Sequence, residues 1–541
     1  MTVNNSTLGI GSADLTIIIV YLVGIVGLGC WAGLRQRRLD TPEGRRYFLA
    51  GGTLTWSMIG LALFSTNIST VHLVSLAQEG YVNGLAYGNF EWMAAFTLIA
   101  LSLFFAPFYI RSKVATLPDF LEKRYNRACR DWLAILSIVS AIFIHIGFSL
   151  YAGAVVLRGL FGIEILWSII LTAVLTGLYT IVGGLMAVVV TESVQTIIML
   201  AGAFCITAIA YIDVGGWTGL AASVDPVKLT MLRGPDDASH LPAYAVFLGY
   251  PVIGLWYWCA DQTIVQRVLG AKDENHARVG PLFAGFIKIL PVFLFVLPGL
   301  LGLALIKQGK LPDTLQNSSD VYSFLISNLL PVGLKGIVAA ALLAALMSTV
   351  SGALNSVATV FTYDLYKPRR PYATERRMVS VGRIVTLFTM VAAVLWSPFL
   401  GRFESIFQGI NAMISYIAPP ITTVFLWGVF WRRASSYAAQ RTLWAGTALG
   451  FVVFLMDWFK EITGWSVPFM MAAFYLFIVC SALLIVLSYL RPHVHTEESG
   501  RLVWDHPLES LKTPGWKGLG NYKVLAAILF FVMVVLYIIF R

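Results

Sequence analysis

The chain has 541 residues, of which 58% are hydrophobic and only 12% charged, with a formal net charge of +10. Soluble domains carry roughly 25% charged residues, so this composition excludes a soluble protein of this size. The hydrophobic residues form continuous runs, such as Ile17 to Trp31 and Val524 to Phe540, and only helices or closed barrels satisfy their backbone in lipid. Because the runs do not alternate with polar residues, we predict an all-α integral membrane protein.

Apolar runs separated by charged or Pro/Gly-rich breaks predict about 14 transmembrane helices, each near the roughly 20 residues that a bilayer requires. In chain order the predicted helices span residues 13–34, 53–79, 86–110, 131–160, 164–184, 190–212, 243–268, 279–306, 333–365, 378–399, 405–430, 442–459, 467–490 and 521–540.

Basic residues are concentrated in alternate loops. Arginine and lysine follow the first, third, seventh, ninth and eleventh predicted helices, whereas the long segments 213–240 and 307–332 carry few. Since lysine and arginine are enriched in cytoplasmic loops, we expect these basic loops in the cytoplasm and both termini outside the cell (inner) membrane. Two outside termini require an even number of helices, which agrees with the predicted number.

The sequence contains none of the patterns that mark an ATP-driven pump or a common enzyme class. It has no Gly-rich phosphate loop ending in Lys-Ser/Thr, no zinc-ligand spacing and no nucleophile elbow. The positive charge follows the loops, so we expect no nucleic-acid partner. A transporter or a channel is therefore expected, and not an enzyme.

Two predicted helices, 53–79 and 243–268, contain polar clusters within apolar spans, and the second of them is the fifth helix after the first along the chain. The first cluster comprises Ser65, Thr66, Asn67, Ser69, Thr70 and His72. The second comprises Pro251, Gly254, Tyr257, Cys259, Asp261 and Gln262. Interrupted helices at corresponding positions of two halves are typical of binding sites built from inverted repeats. We therefore predict two halves of five helices each.

In the predicted helix 333–365, three residues with hydroxyl groups follow an Ala-rich stretch that ends at Ala345. They are Ser348, Thr349 and Ser351. Hydroxyls and freed backbone carbonyls are oxygen ligands suited to an alkali cation. The same residues also suit close helix packing, with each hydroxyl bonded to its own backbone. These residues alone leave both interpretations open.

Ionisable residues inside a membrane are functional candidates. Lys288 lies about 15 Å from the basic loop at the helical rise of 1.5 Å per residue, near the midplane, so we expect it to have a partner or a ligand. Asp261 is expected to pair with a cation such as Lys288. Glu91 and Glu192 are placed near helix ends, where a solvated face and a helix cap are the respective alternatives. For His72 the alternative is a packing role.

Several segments between about residues 13 and 435 occur together. They are Phe64-Ser65-Thr66-Asn67-Ile68-Ser69, Gly88-Asn89-Phe90-Glu91-Trp92, Leu117 to Tyr125, Thr191-Glu192-Ser193-Val194-Gln195, Trp256 to Gln262 with Gln266-Arg267, Ser348-Thr349 with Asn355-Ser356, and Pro419-Pro420. Together they resemble the sodium/solute symporter family, in its sodium-glucose cotransporter-like branch.

The resemblance implies a five-plus-five inverted-repeat symporter core with one leading and three trailing helices. The expected divisions are a leading helix and basic loop, two repeats separated by an external loop, and trailing helices with a cytoplasmic loop at 491–520. Their bounds are 1–45, 46–212, 213–240, 241–432 and 433–541. The resemblance also implies sodium as the coupling ion, a sugar as substrate, contact with membrane lipid, and function as a monomer.

The resemblance implies ligands at each site. The sodium ligands would be the carbonyls of Ser65, Ile68 and Ala345 and the hydroxyls of Ser348 and Thr349. A possible second sodium site would use Glu192, Ser348 and Ser351. The sugar would contact Asn67, His72, Glu91, Tyr257, Lys288 and Asn411. Leu76, Phe90, Tyr257 and Phe407 would form the gates.

Three positions depart from the family pattern. Asn411 stands where the family has a glutamine, which leaves the hexose preference open. Glu192 stands where members with a second sodium site usually have aspartate, and Gly352 stands where a hydroxyl is expected. These departures favour one sodium ion per cycle. Two alternatives stay open: a symporter for an inositol, amino acid or carboxylate, and a transporter-like sugar sensor or channel.

Overall fold

The computed structural model describes residues 11–36, 42–235, 237, 241–315, 317–402, 406–492 and 495–541. Within these residues, twelve helices are long and apolar enough to cross a membrane. Two of them, His72–Arg111 and Ile165–Val214, would extend about 60 and 75 Å, twice the hydrocarbon core or more. The chain turns inside them at Gly84 and Gly184, where φ is +74° and +58°. The described helices therefore make fourteen crossings, in agreement with the prediction.

The first seven crossings are Ser12–Gln36, the pair Trp56–Asn67 and Thr70–Asn83, 89–111, 127–161, 165–183, 185–214, and the pair Ala243–Ala260 and Gln262–Leu269. The last seven are Glu274–Lys307, Leu334–Arg369, Glu375–Leu400, Ile406–Phe430, Ser436–Trp458, Phe469–Leu490 and Tyr522–Ile539.

The second and seventh crossings are both interrupted. In the second, Ile68 and Ser69 are extended, with ψ angles of 107° and 172°. In the seventh, Asp261 is extended, with φ −85° and ψ 122°. An extended residue ends the intrahelical hydrogen bonding on both sides and frees backbone groups for other partners. The breaks lie at the predicted polar clusters, and the all-helical inverted-repeat fold class is confirmed.

The two ends of the helix bundle are identified by different contacts. At one end, Asp14 accepts hydrogen bonds from the backbone N–H groups of Gly333 and Gly336, both at 2.7 Å, and Met231 donates to the carbonyl of Phe540 at 2.7 Å. We call this the terminal end, because the first crossing begins there and the last crossing ends there. At the opposite, basic end, three loops contribute to one cavity through Arg45, Lys113 and Lys272.

The described part of segment 491–520, for which the sequence gives no role, packs against the basic end. The Trp504 ring lies 4.3 Å from the ring of Phe108, centroid to centroid. Its indole N–H donates to the carbonyl of Phe104 at 3.1 Å, and its backbone N–H donates to the carbonyl of Val429 at 2.9 Å. Trp504 thereby joins the third crossing to the eleventh.

The turn between the fifth and sixth crossings gives a stability prediction. Gly184 has φ +58° and ψ −152°, a conformation that is essentially restricted to glycine. A Cβ there would lie 2.3 Å from the carbonyl oxygen of Tyr47. We expect Gly184→Ala to destabilise the protein by more than the roughly 1–3 kcal/mol of backbone strain alone, measured as a lower melting temperature in detergent.

Gly215→Ala is the matched control. Gly215 also has a positive φ, +91°, but the nearest atom to its Cβ position is 3.8 Å away. An equal loss of melting temperature in both variants would contradict the role of the Tyr47 contact.

Candidate functional site

The two interrupted crossings meet at a cavity in the middle of the bundle. The side-chain amide of Asn67 donates to the Tyr257 hydroxyl at 3.1 Å, which joins the break of the second crossing to the seventh. The cavity encloses about 120 Å³. Its lining residues are Asn67, Ser69, His72, Phe90, Glu91, Ile144, His145, Phe148, Ser149, Tyr250, Ile253, Gly254, Tyr257, Trp258, Thr349, Ile410, Asn411 and Ile414.

Lys288 lies behind this lining and is 1% exposed. Its ammonium group donates to Asn67 Oδ1 and to Glu91 Oε2, and it lies 5.4 Å from the ring of Trp258. A buried cation requires such a partner because desolvation of an unpaired charge is costly. Glu91 is buried, so its alternative as a solvated face is wrong.

The expected pairing of Asp261 with Lys288 is also wrong. Asp261 Oδ2 instead lies 3.1 Å from Nε2 of His145, on the fourth crossing. Its other oxygen accepts the backbone N–H of Thr263 at 2.6 Å and caps the second half of the seventh crossing. The break in that crossing leaves this N–H without a helical partner, and a side-chain cap supplies one.

His72 combines a structural contact with a position in the cavity. Its Nδ1 lies 3.3 Å from the backbone nitrogen and 3.0 Å from the hydroxyl of Ser69. These contacts form a reciprocal cap at the start of Thr70–Asn83. When Nδ1 accepts the Ser69 N–H, Nε2 is the donor of the neutral ring. The packing alternative is therefore insufficient, since His72 caps a half-helix and lines the cavity.

A group of buried hydroxyls and carbonyls lies beside the cavity. The Ser348 hydroxyl donates to the carbonyls of Ser65 at 2.8 Å and Ala345 at 3.0 Å. The Thr349 hydroxyl donates to the carbonyls of Thr66 at 3.1 Å and Ala345 at 3.3 Å. Four of the five predicted sodium ligands are thus in contact. The fifth, Ile68, lies at the break itself, with its N–H bonded to Phe64.

The residues of the possible second sodium site are arranged differently. Glu192 is fully buried within the sixth crossing, so the helix-cap alternative is wrong. Its Oε1 accepts hydrogen bonds from Arg267 Nη2 at 2.5 Å and from the Thr66 hydroxyl at 2.7 Å. Ser351 donates to the carbonyl of Ser348 at 3.0 Å. A Cβ at Gly352 would lie 2.3 Å from Arg267 Nη2, so glycine leaves room for this guanidinium.

Two of the four predicted gate residues line the cavity in the described part of the chain. Phe90 and Tyr257 line the cavity, and the Phe90 ring stacks 6.3 Å from Phe469 of the thirteenth crossing. Leu76 is fully buried and is not part of the lining. Phe407 has a side chain that lies outside the described residues.

Sequence reasoning missed His145, Ser149 and Arg267. His145 and Ser149 are four residues apart, so they share one face of the fourth crossing, and this polar pair within an apolar span was the available signal. The sequence analysis counted Arg267 among the basic residues of a cytoplasmic loop. Its position in the sequence alone does not reveal that its side chain contacts Glu192.

Comparison with known proteins adds independent information. A family model described as "Sodium:solute symporter family" matches residues 47–446. The sodium/glucose cotransporter 4 of Danio rerio is 35% identical and covers 82% of this chain and 72% of its own length. The sodium/myo-inositol cotransporter 2 of Sus scrofa is 34% identical and covers 82% of this chain and 70% of its own length.

Two solved structures share the fold. A Na+-coupled sialic acid symporter in a substrate-bound outward-open state aligns with a TM-score of 0.77 and 20% sequence identity, over 90% of this chain and 100% of that chain. The nucleobase-cation-symport-1 family transporter MHP1 aligns with a TM-score of 0.51 and 14% identity, over 86% of this chain and 98% of that chain.

The Lys288–Glu91 pair gives a second stability prediction. Removal of one partner leaves the other buried and uncompensated, which typically costs about 3–5 kcal/mol. We expect Lys288→Met and Glu91→Gln each to lower the melting temperature strongly. The double variant should lose much less than the sum, because it buries no unpaired charge.

The four proteins of this double-mutant cycle are compared by thermal unfolding in detergent, with equal protein and salt concentrations. Losses that simply add in the double variant would contradict the pairing.

Proposed function

Because the chain belongs to the sodium:solute symporter family, we propose that it imports a hexose-like sugar together with sodium by alternating access. The protein is a multi-pass membrane transporter, and sodium is its coupling ion. The sugar, the residues that bind it and the direction of transport are the proposal. Under this proposal the basic end faces the cytoplasm, both termini lie outside the cell membrane, and the monomer is the working unit.

We assign the coupling sodium to the oxygens of Ser65, Ile68, Ala345, Ser348 and Thr349. In support, four of these residues already contact one another through oxygen atoms at 2.8–3.3 Å. The hydroxyl protons of Ser348 and Thr349 can turn away, so that the same oxygens accept a cation. A bound ion would then join the second crossing to the ninth, which belong to different predicted repeats.

Sodium and solute would stabilise the same arrangement of the second crossing. The Thr66 carbonyl contacts Thr349, and the next residue, Asn67, bonds to Tyr257 and Lys288 in the cavity wall. An ion that fixes this backbone therefore positions Asn67 for the solute. By linkage, the solute raises the sodium affinity by the same factor.

The Lys288–Glu91 pair is the reason why we propose a neutral solute. If Lys288 had no acidic partner, an anionic substrate such as a carboxylate would be needed to balance its charge. Glu91 supplies that balance within the protein. The polar groups of the cavity wall therefore need no charged solute to neutralise them. Many donors and acceptors beside the ring of Tyr257 suit a cyclic polyol, and such a site rejects analogues that lack a hydroxyl.

A neutral cyclic polyol can be a hexose or an inositol. The relatives at 34–35% identity include a sodium/glucose and a sodium/myo-inositol cotransporter, so myo-inositol is the second candidate. Asn411 in the cavity lining is the residue whose shorter side chain is proposed to separate the two.

One sodium ion is enough for uphill transport. A single charge moved through 100 mV gives about 2.3 kcal/mol, and a tenfold sodium gradient adds about 1.4 kcal/mol. Together these terms allow roughly 500-fold accumulation at most.

Uptake into proteoliposomes tests this function. We expect glucose or galactose to accumulate above the external concentration with an inward sodium gradient, and not with potassium. Thr349→Val removes one proposed ligand at nearly constant volume, and we expect the half-saturating sodium concentration to rise about tenfold, as for loss of one good polar contact. Binding of sugar without accumulation would instead support a sensor or a channel.

Thr386→Val is the matched control for this variant. Thr386 is also buried, but its hydroxyl donates to Gly382 of its own helix at 2.9 Å. Its sodium dependence should equal that of the unaltered protein.

Asn411→Gln tests solute choice. The extra methylene group restores the family's side chain and extends its amide further into the cavity. We expect the ratio of hexose to myo-inositol uptake to rise several-fold, since one polar contact is worth about 1 kcal/mol. An unchanged ratio, with transport intact, would remove Asn411 from the selectivity proposal.

A further inference from the structure

A stripe of buried residues, polar except for one glycine, runs along the ninth crossing from the sodium-site hydroxyls toward the basic end. It comprises Ser348, Gly352, Asn355, Thr359 and Thr362. Successive members are three or four residues apart, so they share one face of the helix. The stripe continues about 20 Å beyond Ser348 at 1.5 Å per residue.

Asn355 is the exceptional member of this stripe. It is 1% exposed, and neither its Oδ1 nor its Nδ2 has a hydrogen-bond partner among the described residues. Gln266 Oε1 and the Thr362 hydroxyl likewise have none there. Buried polar atoms in folded proteins are normally paired, so each exception requires an explanation. Packing alone would be served better by an apolar side chain.

The second half of the seventh crossing covers the stripe on both sides of Asn355. One turn toward the sodium site, Arg267 Nη2 occupies the space beside Gly352. One turn toward the basic end, Gln266 donates to the Thr359 hydroxyl at 2.6 Å. Asn355 therefore lies along a seam between two helices, with unpaired amide oxygens on both of them.

The Arg267–Glu192 ion pair closes this seam at the level of Gly352. Both side chains are fully buried, and Glu192 also holds the Thr66 hydroxyl, next to the sodium-site carbonyls. A sodium ion that passes from Ser348 toward Asn355 must displace the guanidinium, whose charge repels it. Below this point, neutral amide and hydroxyl oxygens can ligate a cation without retaining it strongly.

We propose that this seam is the route by which sodium leaves the central site toward the basic end. The side-chain amide oxygen of Asn355 is a transit ligand on this route, and the Arg267–Glu192 pair is the gate. The proposal rests on the proposed direction of transport. Hard oxygen ligands and the narrow space between two packed helices suit a bare cation and exclude a polyol.

The test follows radioactive sodium in proteoliposomes that contain the full chain, with a mixture of glucose, galactose and myo-inositol. Asn355→Leu removes the amide oxygen and keeps a similarly branched side chain. We expect net sodium uptake into sodium-free vesicles to fall about tenfold, as for loss of one polar contact. Exchange of labelled solute at equal, saturating sodium on both sides requires no sodium release, so it should be unchanged. Asn355→Thr, which keeps an oxygen, should retain most of the net uptake.

Asn328→Leu, the same substitution at an exposed site on another helix, is the control for the chemical change. A proportional fall of uptake and exchange in Asn355→Leu would overturn the proposal, because it would indicate a general folding defect. Normal net uptake would overturn it as well.

Gly352→Ala tests the gate separately. Its Cβ would displace the guanidinium, so we expect solute-independent sodium entry driven by membrane potential to increase several-fold. No increase would remove Arg267 as the gate. This sodium entry requires no solute, so it still tests the seam if none of the three solutes is carried. Failure of all three solutes in the unaltered protein would count against the proposed function alone.

Discussion

The absence of water from the bilayer core is the constraint on which this structure depends. A helix can be interrupted there only where protein groups satisfy the freed backbone. Asp261 does this in the seventh crossing by capping Thr263, and His72 and Ser69 do it in the second. The hydroxyls of Ser348 and Thr349 donate hydrogen bonds to backbone carbonyls near the break of the second crossing. The carbonyl oxygens of Ser65 and Ile68 that are proposed for sodium are therefore available because the helix is broken.

The same constraint explains how charge is arranged around the cavity. Lys288, Glu91, Glu192 and Arg267 are each nearly or fully buried, and each acid has a basic partner. The two pairs contact consecutive residues, Asn67 and Thr66, just before the break of the second crossing. Movement of this one backbone segment therefore changes the environment of both ion pairs.

The sequence predicted the helical fold well because long apolar runs have few alternatives in lipid. Fourteen crossings, two interruptions and the polar cluster around Asn67 and His72 follow from spacing and hydropathy. Asn411 came from the family resemblance, and His145 and Ser149 were missed. Partner choice did not follow: Asp261 pairs with His145, and Lys288 with Glu91. Those pairings depend on which faces of distant crossings meet, which periodicity does not encode. Glu192 was misplaced for a related reason, since the turn at Gly184 shifts its crossing and buries it beside Arg267.

Trp504 links parts of the chain that the predicted repeats separate. It lies outside both predicted repeats, yet it is attached to the third crossing through Phe104 and Phe108 and to the eleventh through Val429. At the opposite end of the third crossing, the Tyr537 hydroxyl of the last crossing donates to the side chain of Asn89 at 2.9 Å. Helices from both predicted repeats and from the trailing region are thus joined by direct contacts. The boundaries of the predicted repeats therefore differ from the groups of helices that these contacts hold together.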